Sequence, residues 1–281
     1  MVDMGILSGL LKSNFITEER IRDFIADTET KRICFSRIQK CALWKTGKGE
    51  DMITVPFEDS VGPLLEEYAG IVLRKSSKGK YYKQLSKEEY DKVKSFVELH
   101  SEVVFLRDLL DVSVALSLNF EDGVEEHTII GKLEKNAKYD NDEKALVLLA
   151  EVVDKFIISS TMYANADYII AIPPTKEGTD NLPTKVIKKL TNFTGKDVSG
   201  CARWTSKTVS LKNADGADKL EMISHSGFEL DENLNLQGKS VVLVDDLYMS
   251  GITLQYVAMK LKEAGAGKVY GLCFVKSFSN R

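Results

Sequence analysis

Two adjacent carboxylates close the apolar run in VVLVDDLYMSGIT, residues 241–253. Asp245 and Asp246 lead into Tyr248, Met249, Ser250, Gly251, Ile252 and Thr253. The next stretch, TLQYVAMKLKEAG (253–265), has the spacing of a helix ended by Gly265. Such a string sets two chemistries side by side. A helix start carries unpaired N–H groups and a partial positive charge, which favour a phosphate. Gly251 permits close approach of the backbone, and the Ser250 and Thr253 hydroxyls add donors. The paired acids accept hydrogen bonds from vicinal hydroxyls and favour a nearby Mg2+, held indirectly through sugar or water. A sugar phosphate gripped at both ends is a ligand class that uses both. D-D alone usually marks a solvated strand end, and S-G-x-T alone an ordinary cap; the whole string is far more restrictive.

The elements around it predict how those groups are positioned. ADYIIAIPP (166–174), KSVVLVDD (239–246) and KVYGLCFVKSF (268–278) are continuous apolar runs with strand length, and ALVLLAEVVDKFIIS (145–159) and TKVIKKLTNFTG (184–195, closed by Gly195) have helical character. The alternation predicts an α/β fold with a parallel sheet covered on both faces. Ligands of such sheets sit beyond the carboxyl ends of the strands, where Asp245 and Asp246 fall. Earlier in the chain, a helix is expected over 17–29, strands within 32–44 and 53–57 joined by the turn TGKGED, a helical stretch over 60–74, and a basic turn in SSKGKYYK. Ser86 followed by Glu89 predicts a capping box at the head of a helix over 86–100. RDLLDVSVALSLNF (107–120) fits helix or strand. The acidic break EDGVEEH suggests a division into an α+β region, 1–120, and a ligand-binding domain, 121–281.

At 281 residues, 43% hydrophobic and 28% charged, the chain can bury a substantial core. A net charge of −4 gives no global argument for nucleic acid or membrane partners. Local patches are a separate matter: KRICFSRIQK and RKSSKGKYYK interleave basic and aromatic residues, although such stretches are usually solvated loops. The cysteines Cys34, Cys41, Cys201 and Cys273 form no C-x-x-C pair and there are three histidines, which argues against a zinc ribbon and for reduced thiols. No apolar run reaches the roughly 18 residues of a membrane span, and the start lacks a basic n-region and a cleavage signature, so a cytoplasmic protein is expected.

With these residues in view, VVLVDDLYMSGIT resembles the phosphoribosyl-diphosphate (PRPP) motif of type I phosphoribosyltransferases. The resemblance implies a Rossmann-like parallel-sheet core, paired acids on the ribose hydroxyls, and a loop of residues 248–253 around the 5′-phosphate. It further implies a pyrophosphate loop at IIAIPPTKEG (169–178), with Pro174, Thr175 and Lys176 at the diphosphate. CARWTSKTVSLK (201–212) resembles the mobile basic segment over the active site, which puts Arg203 and Lys207 at pyrophosphate. KYDNDEKALVLLAEVV, the R-x-T-x-K segment, GFEL and the motif together resemble the ComF (amidophosphoribosyltransferase-like) branch, including a lysine–tyrosine pair at Lys138 and Tyr139. Two departures stand out. Met249 replaces a common threonine, and the cysteine cluster frequent in that branch is missing.

Three functions follow from this resemblance. One is an enzyme that uses Mg2+ and PRPP and transfers phosphoribose to a nitrogen acceptor, with Asp245, Asp246, Lys176, Arg203 and Lys207 at the reacting groups. Another is a regulator that senses a phosphoribosyl nucleotide without turnover. The third is a nucleic-acid-associated competence or defence effector. A homodimer is compatible with all three, and the role of residues 1–120 is unassigned.

Overall fold

The computed structural model of the chain describes residues 15–37, 42–121, 124–174, 179–206 and 216–277. Thr17 accepts from the Arg20 N–H and starts helix α1 (Glu18–Ala26), which buries Ile21 and Phe24. After strand β1 (Arg32–Cys34), a small antiparallel sheet is built from β2 (Leu43–Lys45), β3 (Asp51–Val55), β4 (Arg74–Lys75) and β5 (Tyr81–Leu85), in the order β2-β3-β5-β4. Helix α2 (Val61–Ala69) lies between β3 and β4. Helix α3 (Lys87–Leu99) opens with the expected capping box, Ser86 and Glu89 each accepting from the other's backbone N–H. Ile53, Val55 and Leu85 share a core with Val93 and Phe96 of α3.

The chain then enters the main sheet. Strands β6 (Val104–Leu106) and β7 (Val112–Leu118) come first. Helices α4 (Ile129–Tyr139), α5 (Glu143–Ser159) and α6 (Thr161–Ala164) follow. Next are β8 (Tyr168–Ala171), α7 (Leu182–Ile187), β9 (Lys196–Asp197), β10 (Ala202–Trp204), α8 (Gly216–His225) and β11 (Phe228–Leu230). The chain closes with β12 (Ser240–Tyr248), α9 (Ile252–Glu263) and β13 (Lys268–Lys276). Seven strands pair in the order β1-β6-β7-β13-β12-β8-β9. From β7 to β9 every pair is parallel, while β6 runs antiparallel to both β7 and β1. Strands β10 and β11 form a separate antiparallel pair.

Both faces of the sheet are covered, as the continuous apolar runs predict. On one face Val242, Val244 and Phe274 pack with Leu149 and Val153 of α5, and this core runs on into Ile53 and Phe96 of the small sheet. On the other, Val241, Leu243 and Cys273 pack with Ile21 of α1, Ile223 of α8 and Val257 of α9. Among the described residues no helix is long and apolar enough to cross a membrane.

The structure decides one open stretch of the sequence and differs from two expectations. The undecided stretch 107–120 contains β7, buried on both faces along its whole length, which is why it shows no alternation. The suggested boundary at 120/121 falls just after β7, whose neighbour is β13, so β1, β6 and β7 belong to the same sheet as the DD strand. The helix expected over 184–195 is the short α7, Leu182–Ile187. Beyond it Asp154 captures the Thr191 and Asn192 backbone N–H groups, and Gly195 serves close approach rather than helix capping. A Cβ there would lie 2.4 Å from the Ala166 carbonyl oxygen.

Candidate ligand site at the carboxyl edge of the sheet

Strand β12 outruns its neighbour β8. Val244 pairs with Ala171, and the Ile172 N–H donates to the Val244 carbonyl at 2.8 Å as the last rung. On the other edge the pairing continues to Tyr248 and Lys276 of β13. Among the described residues, 245–248 are therefore strand-paired on one side only. Here the sheet order reverses: β8 leads outward to β9, and β12 leads the other way to β13. Open α/β sheets form their ligand crevice at this point.

The pleat sends adjacent side chains to opposite faces. Asp246 meets Lys138 of α4, whose Nζ lies 2.7 Å from Asp246 Oδ2 and 3.4 Å from Glu134 Oε1. Glu134 is buried, 5% exposed. Helix α4 reaches this place because Thr128 caps it while donating to the Leu118 carbonyl at the end of β7. Gly131 lets it press down there, since a Cβ would lie 2.2 Å from the Asn119 carbonyl oxygen. Asp245 points to the opposite face, where Lys219 of α8 acts on it electrostatically. The Asp246 N–H donates to Asp245 Oδ1 at 2.9 Å.

This arrangement polarises the pair. Enclosure by protein and the adjacent Asp246 charge push Asp245 up to about 8, with Lys138 and Lys219 opposing only in part. Burial works against the charged form of Lys138, but Asp246 and Glu134 hold it above its usual value. Burial lowers Lys219, with Asp245 opposing. None of these lysine contacts was legible as a motif. Lys138 entered only by resemblance, and Glu134 and Lys219 had no sequence signal.

The loop after β12 has a different character. Gly251 sits at φ 74° and heads α9 with no side chain capping the first turn. The N–H groups of Ile252, Thr253 and Leu254 thus lack intrahelical partners. Ser250 Oγ is buried and finds no hydrogen-bond partner among the described residues, an orphan that a bound oxyanion would satisfy. Met249 is 43% exposed, whereas Tyr248 (3%) and Ile252 (1%) turn their side chains inward and leave only backbone to offer. Tyr248 packs directly beneath Gly251: a Cβ on the glycine would stand 2.2 Å from the Tyr248 hydroxyl. That hydroxyl donates to Asp108 Oδ2 at 3.2 Å.

A polar layer therefore underlies the loop, built from Asp108, Tyr248 and Lys276. Lys276 is 1% exposed, donates to the Ser277 carbonyl at 3.0 Å, and is lowered by burial to about 7. Burial pushes Asp108 up to about 6, against the Leu110 N–H that donates to it. The consequence for stability has a definite sign. Between the usual 3.8 and about 6 the folded state keeps a proton that the unfolded chain has released, so this group makes stability fall as pH rises through that window. Asp108→Asn is expected to remove that slope, seen as a flatter pH dependence in urea denaturation; an unchanged slope counts against a buried, protonated Asp108.

The other expected site residues divide. Pro174 ends the described part of the loop after β8, and Pro173 is anchored by Trp204, whose indole N–H donates to its carbonyl at 3.0 Å. Thr175, Lys176 and Lys207 lie outside the described residues. Arg203 is described, but its side chain is 70% exposed and paired with Glu229 on β11; no contact of Arg203 with Asp245 or Asp246 is seen. Tyr139 is 61% exposed, with Lys138 Nζ 5.5 Å from its ring centre.

Among the described residues no group of three His, Cys, Asp or Glu side chains is placed to hold a metal. Asp245 and Asp246 diverge, and Lys138 already neutralises one of them. This donor set does not form a cage for a bare ion; it suits a cation carried on a ligand's phosphates and reached through hydroxyl or water.

Fold and site together define an α/β protein with a mostly parallel, doubly covered sheet. Its carboxyl edge carries an acid pair beside an uncapped helix start. No protein-family model matches the chain, and no curated protein matches it.

Proposed function

We propose that this protein binds a phosphoribosyl ligand, PRPP or a phosphoribosyl nucleotide, at the carboxyl end of β12, and that it is a phosphoribosyltransferase of the ComF-like kind working in the cytoplasm. The observation that carries this reading is the orphaned Ser250 hydroxyl beside the uncapped start of α9, next to Asp245 and Asp246. A phosphate on the loop would satisfy Ser250 Oγ and the free N–H groups of α9. The ribose hydroxyls would then reach the acid pair.

In the transfer, the bond from ribose C1 to the pyrophosphate oxygen breaks and its electron pair leaves with pyrophosphate. A nitrogen lone pair forms the new bond to C1, and the proton that the nitrogen loses passes to water or to the departing pyrophosphate. For the acid pair to stabilise the positive charge that develops on the ribose, Asp245 must release the proton that its enclosure favours and Asp246 must loosen its pairing with Lys138. Lys176, Arg203 and Lys207 are the candidates for the leaving diphosphate; Arg203 would have to exchange Glu229 for it. Mg2+, when bound with PRPP, supplies further neutralisation of the diphosphate.

A non-catalytic sensor is the second reading, favoured by the Lys138–Asp246 contact, which occupies one of the two carboxylates. Calorimetry with PRPP and Mg2+ tests the shared premise. Hydrogen bonds to charged groups contribute about 1.5–3 kcal/mol each. Asp245→Asn with Asp246→Asn should therefore weaken binding by about 100-fold or more while the circular dichroism is retained. Wild-type affinity in the double variant would sink the phosphoribosyl reading. Pyrophosphate release across a panel of bases and amines separates enzyme from sensor.

A further inference from the structure

The small sheet β2-β3-β5-β4 has one face in the core and the other in solvent. Its register defines the solvent face: Trp44 lies opposite Met52, Met52 opposite Gln84, Thr54 opposite Tyr82, and Tyr82 opposite Arg74. Residues directly opposite on antiparallel strands share a face, so these six lie on one side of the sheet; Met52, 9% exposed, is covered, and the other five are partly or well exposed. Trp44 is 47% exposed and Tyr82 37%, large values for aromatic rings on a sheet. The Trp44 indole N–H donates to Thr54 Oγ1 at 3.0 Å, which holds the ring over the sheet.

The edge of this face is cationic. Residues 74–83, RKSSKGKYYK, carry five positive charges and no acid, in a chain whose net charge is −4. Arg74 projects on the aromatic face beside Tyr82. Lys78 and Lys80 stand in the exposed turn between β4 and β5 and, like Arg74, make no salt bridge among the described residues. Lys83 is paired with Glu89. Of the acids on the sheet, Asp51 pairs with Lys45, while Glu50 accepts from the neutral Gln84 and Thr46 and keeps its charge. Two exposed aromatic rings beside Arg74, Lys78 and Lys80, which make no salt bridge among the described residues, have a chemical complement. Bases stack on the rings regardless of sequence, and the phosphates that connect them meet the cations.

We propose that the open face of the small sheet, with Trp44, Tyr82 and Arg74 and the Lys78–Lys80 turn, is a docking surface for single-stranded nucleic acid. It is separate from the β12 site and does not depend on the phosphoribosyl reading. Duplexes are excluded from such stacking because their bases are already stacked on one another.

The test uses the full chain and fluorescence anisotropy of labelled single-stranded DNA, single-stranded RNA and duplex DNA at stepped salt concentrations. Single strands of one or both kinds should bind more tightly than duplex. Trp44→Ala and Tyr82→Ala should each weaken binding about ten-fold, in line with base–aromatic stacking measured by alanine substitution. Both rings are exposed, so thermal melts should match the wild type. Lys78→Gln with Lys80→Gln should reduce the slope of log affinity against log salt by about 1.4, at about 0.7 per phosphate contact on a single strand. PRPP binding should be unchanged in all of these variants. Four results would overturn the proposal: no oligonucleotide binding at low salt, a preference for duplex, aromatic variants that bind like the wild type, or a chain that self-associates through this face and is made monomeric by Trp44→Ala. Binding to anionic vesicles without binding to oligonucleotides would equally reject it in favour of a membrane surface.

Discussion

Residues 121–281 expressed alone are expected not to fold. The fragment retains β8, β9, β12 and β13 but loses β7, which pairs with β13 along six register positions. Val112, Val114, Leu116 and Leu118 of β7 are each at most 3% exposed. Burying such side chains contributes about 1.5–3 kcal/mol apiece, so these four alone are worth roughly 6–12 kcal/mol. That matches the whole stability of a typical domain, about 5–15 kcal/mol. The same cut bares an edge of β13, where Leu272, Phe274 and Val275 are fully buried in the intact chain, and a long apolar edge strand invites aggregation. The fragment should be insoluble or show no cooperative melt, whereas a chain starting before β6 would restore the strand. A soluble, PRPP-binding 121–281 fragment would mean that β7 is dispensable and that the two halves are independent.

Gly251→Val should lose several kcal/mol of stability even with no ligand present. Two costs combine. The residue sits at φ 74°, a left-handed conformation that costs a side chain about 1–2 kcal/mol and a β-branched one more. Its Cβ would stand 2.2 Å from the Tyr248 hydroxyl and 2.4 Å from the ring carbon bearing it. Tyr248 is fixed by burial and by Asp108, so the ring cannot yield cheaply, and overpacking of this kind costs about 1–3 kcal/mol. Gly251→Ala places the same Cβ and should share most of the loss. Urea denaturation of both variants measures it. If glycine were required only for a phosphate to approach, Gly251→Ala would denature like the wild type and lose binding alone. The structure thus supplies a reason for Gly251 that comes before any ligand: the residue must clear the tyrosine beneath it.

Some features of this protein are written in short stretches of its sequence. The apolar strand KSVVLVDD and the small-residue start of α9 appear where local pattern places them, as does the capping box of Ser86 and Glu89, but the strand runs two residues past the acids, to Tyr248. Each depends on spacing within a few residues: strand length, helical period, or a side chain returning to its own backbone. The parallel sheet was legible for a similar reason, because strands buried on both faces must be apolar throughout. The same rule hid β7, since a uniformly apolar stretch has no period to distinguish strand from helix.

Tertiary structure alone decided the partners. The pleat sends Asp245 and Asp246 to opposite faces, and the helices covering those faces determine that Asp246 meets Lys138 and Glu134 while Asp245 feels Lys219. Nothing within reach of Asp246 in sequence announces a lysine from α4, because that contact depends on Gly131 letting the helix settle onto the end of β7. The polar layer of Asp108, Tyr248 and Lys276 is equally non-local: Asp108, from the segment before β7, reaches Tyr248 at the end of β12, which lies beside Lys276 at the end of β13, only in the folded chain. The joining of the first 120 residues to the sheet has the same origin, for the order of strands is set by how apolar faces are covered across the whole chain, and no segment carries that information by itself.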